Sequence, residues 1–255
     1  MRTNSWACRT PEVKPPQKGC EHMYIRGVRK FLRRFRRYLA PPLVAVTLLW
    51  LSPLRPAGSR VVDGITDGIG ILIALLGQLL RFWAWGSNAR TKVGVRTRGP
   101  YALLRHPLYL GNLCIVVGLL VMFNNPWAYL ICGLPFVLLY HTIAQVEEER
   151  MQKRFGEEYV AYIASGVPRF IPALRDLPEA KRTSRPFHWR LALKKEYESL
   201  LGLVAGVIVL EMYEEVLWQG IEKVQGKVVV LLGLLCAVGL LSLSLYICKA
   251  RKREA

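Results

Sequence analysis

Residues 96–112 read RTRGPYALLRHPLYLGN and lie between two apolar stretches. A short polar join would serve two hydrophobic segments equally well. Instead the stretch packs arginines, a Gly-Pro-Tyr turn, an Arg-His-Pro triplet and a second tyrosine into the approach to an apolar run. Pro107 has no amide hydrogen to donate, and its fixed φ suits the first turn of a helix. The reading therefore starts a helix at Pro107 with His106 as its N-cap. The open amides and positive dipole end of that helix attract an anion. Tyr101 and Tyr109 add aromatic faces with polar tips, and Gly111 lets another helix or a ligand approach closely.

The surrounding composition says what kind of helix this is. The chain has 255 residues, 52% of them hydrophobic, and a formal net charge of +18. Apolar and basic character fall in separate blocks, which is the pattern of a membrane protein. The basic clusters flank apolar runs, as in RGVRKFLRRFRR at 26–37, so anionic headgroups are the expected partner of the charge. No nucleic-acid motif accompanies it. Cys8, Cys20, Cys114, Cys132, Cys236 and Cys248 show neither disulfide spacing nor a CxxC metal signature, and no metal site is expected. No secretory signal peptide is evident before the first apolar run near Leu39.

A helix needs about 20 apolar residues to cross a bilayer core. Six candidate spans emerge: Leu39–Leu54, Gly64–Trp85, Leu108–Phe123, Pro126–Val146, Leu200–Trp218 and Val228–Cys248. FNNPW between the third and fourth reads as a tight turn, making those two an antiparallel hairpin. Lysine and arginine alternate between loops: one set holds Arg26–Arg37, Arg90–Arg105, residues 150–198 and the basic tail. The other set holds only Arg55, Arg60, Lys223 and Lys227. By the positive-inside rule both termini and the 96–112 stretch are expected on the cytoplasmic side, in the inner membrane if the source is bacterial. The expected fold is an all-α polytopic transmembrane bundle of about six spans, with a cytoplasmic helical insertion. Its parts are a basic tail (1–38), a membrane core (39–175), a linker with an amphipathic helix (176–199) and a C-terminal transmembrane hairpin with a basic tail (200–255).

Residues 147–198 form that insertion. It begins as a helix continuing from the fourth span, is broken by GVPRFIP at 166–172, and passes through a linker, RDLPEAKRTSRPF, to an amphipathic lead at 188–199. Glu147 and Glu148 stand at the cytoplasmic end of the fourth span, where buried carboxylates require partners. They are suited to hold an ammonium, to accept from sugar hydroxyls, or to pair with Arg105. Each feature alone reads as an ordinary cap, a solvated helix face or a helix-ending turn. Together, an anion-attracting helix start facing two carboxylates suits a zwitterionic, nucleotide-like ligand; S-adenosylmethionine is one such molecule among several.

The order and spacing of these pieces resemble a known family. RTRGPYALLRHPLYLGN followed by EEERMQKRFGEEYVAYIASGVPRFIP is similar to the isoprenylcysteine carboxyl methyltransferase and phospholipid methyltransferase superfamily of integral membrane enzymes. The resemblance covers roughly residues 72–172. It implies S-adenosylmethionine as cofactor, bound by His106, Pro107, Tyr109, Gly111, Glu147 and Glu148. Phe155, Gly156, Tyr159 and Arg169 match the segment that closes over it, and Tyr101 joins the cofactor set. It also implies methyl transfer to a lipophilic acceptor with a carboxylate or amine headgroup. Arg169 and Arg105 are the candidates to orient an anionic acceptor, and lipid phosphate is the other use for them. His141 is read as a satisfied core histidine, with the cavity as the alternative.

Two rivals stand beside this reading. Sterol and steroid reductases carry a similar stretch near a nicotinamide site, and a non-catalytic scaffold would carry a degenerate one. Outside the resemblance, Glu211 and Glu215 share one face of the fifth span at i,i+4, with Glu214 beside them. Either a buried partner awaits them or they reach the outer interface, which is the preferred reading. The last hairpin is also a candidate surface for a protein partner.

Overall fold

The computed structural model describes residues 47, 50–54, 60–87, 94–184 and 186–254. Among these the chain is all-helical and without strands. We number the helices α1 (Arg60–Ser87), α2 (Pro107–Phe123), α3 (Pro126–Phe155), α4 (Glu157–Ala164), α5 (Leu177–Thr183), α6 (Trp189–Gln219) and α7 (Ile221–Glu254). A 3-10 turn, Gly99–Ala102, precedes α2, and α3 contains a π turn at Tyr129–Gly133.

Among the described residues, three helical stretches are long and apolar enough to cross a membrane: Val61–Ser87, Pro126–Phe155 and Ile221–Leu245. α2 is apolar but only 17 residues long. α6 covers the expected fifth span, but Lys194, Lys195, Glu196, Glu198 and the glutamates near its end interrupt its apolar surface. Most of the expected first span lies outside the described residues; its end, Leu51–Leu54, is irregular rather than helical.

Small residues bring α1 and α2 together. A Cβ on Gly77 would stand 2.6 Å from the Gly111 carbonyl oxygen, and one on Gly70 would stand 2.5 Å from that of Gly118. Backbones this close are the small-residue contact that apolar helices use in lipid, where burial of apolar surface gives no drive to associate. The FNNPW turn forms as expected. Asn124 ends α2 in the left-handed region at φ 47°, and the Asn125 side chain accepts from the Trp127 amide to open α3. Leu120, Phe123, Ala128, Cys132, Phe136 and Leu210 build the core beneath this turn.

The insertion departs from the expected layout in two places. The helix leaving α3 does not run on to GVPRFIP: Gly156, at φ 52°, breaks it after Phe155 and α4 starts anew. The segment read as linker contains α5. Pro178 there falls in the first helical turn, where a missing amide hydrogen is harmless, and Ala180 is fully buried against Leu103 and Leu104. Trp83 Nε1 donates to Ser184 Oγ at 2.7 Å, and the Gly99 amide donates to Thr183 Oγ1 at 3.1 Å. These bonds hold α5 on the end of α1 and on the Gly-Pro-Tyr turn.

Candidate functional site

The site is built where the start of α2 meets the end of α3. Pro107 is the first residue of α2 and His106 its N-cap, although the His106 side chain does not cap the helix. It turns instead toward α3, placing Nε2 3.1 Å from Glu148 Oε1. Its ring stacks on Tyr109, with centroids 5.3 Å apart, and leans on Phe170. The Tyr109 hydroxyl donates to Glu147 Oε2. The helix start and the acid pair therefore share one wall-to-wall contact.

Glu147 and Glu148 have different surroundings. Glu148 is 12% exposed and accepts from Arg105 Nη1 at 3.1 Å and from Arg169 Nε and Nη2 at 2.9 and 2.5 Å. That hydrogen bond raises the Arg169 guanidinium further above its ordinary value. Glu147, 44% exposed, has Tyr109 as its hydrogen-bond donor and an open side. One acid is structural, tying three cationic or polar groups; the other is presented.

The segment after α4 lies along the loop before α2. The Arg105 amide donates to the Pro168 carbonyl at 2.8 Å, the His106 amide to that of Arg169 at 3.3 Å, and the Ala173 amide to that of Leu103 at 3.0 Å. Arg105 Nε also donates to the Val167 carbonyl at 3.0 Å. From α4, the Tyr162 hydroxyl donates to the Tyr101 carbonyl at 2.6 Å, and Glu158 accepts from the Val95 amide at 2.8 Å. Val95, Tyr159 and Tyr162 form a small core under this cover. Burial pushes the Tyr159 phenol up to about 12 and raises those of Tyr162 and Tyr101. These hydroxyls stay protonated through the physiological range and do not act as bases there.

A cavity of about 300 Å³ opens between these pieces, lined among others by Arg96, Tyr101, Arg105, His106, Pro107, Leu108, Tyr109, Glu147, Phe155 and Tyr159. Seven of the expected cofactor and catalytic residues line it: Arg105, His106, Pro107, Tyr109, Glu147, Tyr101 and Tyr159. Three do not. Glu148 and Arg169 stand behind the wall and hold it. Gly111 faces α1, where a Cβ would come within 2.5 Å of Arg81 Cγ, so of its two expected uses the structure takes helix packing. His141 is neither cored nor in the cavity: it is exposed, with Gln145 Nε2 3.0 Å from its Nε2 and its ring near Phe170.

Among the lining residues that the sequence did not single out, three carry charge or bulk into the cavity: Arg96, Met151 and Arg154. Arg96 lies over the Trp85 ring at 5.1 Å and hydrogen-bonds Tyr101. Met151 and Arg154, one and two turns beyond Glu147, also line the cavity. The last two were legible in principle, since i+4 and i+7 from Glu147 repeat one helix face.

At the opposite end of α1 a second polar cluster forms. Asp63, Asp67 and Glu214 bring carboxylate oxygens within 4.8 Å of one another, beside Glu211 and Glu215. Lys227 of α7 reaches Glu211 at 2.7 Å and Glu215 at 2.6 Å, so the expected glutamate face has a lysine partner from the neighbouring helix.

Fold and site together give an all-helical bundle, with helices long and apolar enough to cross a membrane and a polar cavity between a His-Pro helix start and an acid pair. Residues 68–158 match the family model for phospholipid methyltransferase. Cobalt-zinc-cadmium resistance protein CzcN of Cupriavidus metallidurans is 32% identical over 126 residues, 49% of this chain and 52% of that protein. Protein-S-isoprenylcysteine O-methyltransferase A of Arabidopsis thaliana is 32% identical over 120 residues, covering 40% and 59%. The human protein-S-isoprenylcysteine O-methyltransferase is 32% identical over 117 residues, covering 39% and 40%. The chain spans about half the length of the curated relatives it matches. No solved structure matches it. Residues 68–158 of this chain are thus similar to the phospholipid methyltransferase family, and the chain is similar over part of its length to isoprenylcysteine O-methyltransferases.

Proposed function

We propose that the chain is an integral membrane methyltransferase that takes its methyl group from S-adenosylmethionine and gives it to a lipophilic acceptor. The observation that carries this reading is the cavity wall in which the α2 start, Glu147 and Glu148, all within the matched residues, meet. The donor set fits the cofactor's chemistry. Glu147 suits its ammonium, Arg96, Arg105 or Arg154 its carboxylate, and the Tyr101, Phe155 and Tyr159 rings its purine. When bound, the cofactor supplies an electrophilic sulfonium methyl.

The chain's own residues then have to align, desolvate and hold. Glu148 fixes Arg105 and Arg169 from behind the wall. α4 lines the cavity through Tyr159 and Tyr162 and limits water, and the 167–170 segment braces the loop before α2. Arg105 lines the cavity and is the better placed of the two arginines to orient an anionic acceptor headgroup; Arg169 acts through Glu148. The acceptor class is a carboxylate or amine headgroup carried on a lipid tail, reached where the cavity meets the membrane boundary. The basic end of the bundle, with Arg96, Arg105, Arg154 and Lys195, is assigned to the cytoplasmic side, with about six spans in the whole chain and both termini on that side.

Titration of the purified chain with S-adenosylmethionine and, separately, NADPH tests the cofactor. Saturable binding of NADPH alone would replace this reading with the reductase. Binding of neither would leave a scaffold. A radiolabelled methyl-transfer assay on membranes, followed by lipid extraction, identifies the acceptor.

A further inference from the structure

One turn along α2 and two along α3 from the cavity wall, polar side chains from four helices join a single network. Glu196 of α6 is only 2% exposed. It receives a two-point bond from Arg81 of α1, Nε to Oε2 at 2.7 Å and Nη2 to Oε1 at 3.1 Å. Gln78 Nε2 donates to the same carboxylate at 3.1 Å. Arg81 Nη1 reaches Asn112 Oδ1 on α2, and Asn112 Nδ2 donates to the Tyr140 hydroxyl of α3 at 2.8 Å. Tyr140 packs its ring on Tyr109, centroids 5.4 Å apart.

The spacing ties this network to the site. Tyr109 and Asn112 are i and i+3 on α2, and Tyr140 and Glu147 are i and i+7 on α3, so each pair shares a helix face. Two rungs therefore cross from α2 to α3: Tyr109 to Glu147 in the cavity wall, and Asn112 to Tyr140 below it. Arg81 runs its stem over Gly111 and ends on the lower rung, and Glu196 holds Arg81 there. A buried arginine needs such a counter-charge. Glu196 lies well outside the residues that match the family model.

We infer that Glu196 is a positioning residue for the cavity: through Arg81 and the Asn112–Tyr140 rung it sets where Tyr109 presents Glu147. The C-terminal α6 thereby completes a site whose lining comes from earlier helices. The inference rests on the proposed cofactor reading only for its ligand readout.

The test uses the full chain in lipid nanodiscs with 3-fluorotyrosine at position 109, in wild type, Glu196→Gln and Tyr140→Phe. The fluorine resonance reports the Tyr109 environment without any ligand, and S-adenosylmethionine titration reports the cavity. Expected are a shifted or broadened resonance in both variants and a roughly tenfold weaker affinity, the scale of coupling within one polar network. Tyr140→Phe removes one hydroxyl and keeps the ring, so it separates this effect from misfolding of the Glu196 variant. An unmoved Tyr109 resonance in both variants overturns the inference. A shifted resonance in a protein that binds no S-adenosylmethionine supports it while removing the cofactor reading.

Discussion

Glu148→Ala is the sharpest perturbation of the site, because one carboxylate holds three partners. Its removal leaves Arg105, 17% exposed, and Arg169, 32% exposed, without their acid. It also takes the 3.1 Å contact from His106. Breaking a fully buried pair costs about 3–5 kcal/mol and an exposed one about 0–1 kcal/mol. These partners lie between the limits, so the loss is about 2–3 kcal/mol. For a chain of this size that lowers Tm by about 4–12 °C. Thermal unfolding in nanodiscs, followed by tryptophan emission, measures it. The same variant removes the side-chain tie between Arg169 and the wall, leaving the backbone bonds of the 167–170 segment in place, and S-adenosylmethionine affinity should fall with it. Glu148→Gln, which keeps the volume and one acceptor, should fall between. A Tm within about 1 °C of wild type would show that the cluster holds nothing, because even one lost charged hydrogen bond is worth more than that.

Other expectations follow from single contacts. On the proposed function, Glu147→Gln should weaken S-adenosylmethionine binding by about 1–3 kcal/mol with little change in Tm, since the carboxylate is half exposed and open toward the cavity; isothermal titration beside the unfolding curve reads both. Gly111→Ala should destabilise by about 1–3 kcal/mol, because its Cβ would meet Arg81 Cγ at 2.5 Å and the Gly77 carbonyl oxygen at 2.7 Å. A normal melting curve for that variant would sink the close-packing argument for α1 and α2. Trp83→Phe removes the bond to Ser184 that pins α5; about 1 kcal/mol of stability should go with it, and protease cleavage within 174–188 should become faster.

The helical boundaries near the site were legible because their signals are local. Pro107 cannot belong anywhere but a first turn, and Asn124-Asn125-Pro126 carries its own turn chemistry. The acid pair was legible as a pair, yet its division of labour was not. Glu147 and Glu148 are neighbours in sequence, but a helix turns about 100° per residue, so one faces the cavity and the other faces Arg105 and Arg169. That assignment depends on what stands opposite. α5 was missed because Pro178 reads as a breaker until Ala180 is seen to have a buried surface to meet. The span at Leu200–Trp218 was legible in its apolar residues, but not the charged start of α6.

What the sequence alone determined is the set of local preferences: apolar lengths, the proline-led helix start, the turn, and the clustering of charge at one end. The tertiary structure decided which charges meet. Arg105, Arg169, Glu148 and His106 span 64 positions in the chain, and Arg81 and Glu196 are 115 apart. Hydrogen bonds and ion pairs act over a few ångströms, so no reading of spacing along the chain ranks such partners; only the glycine-set approach of α1 to α2, and α6 laid across them, brings them within reach.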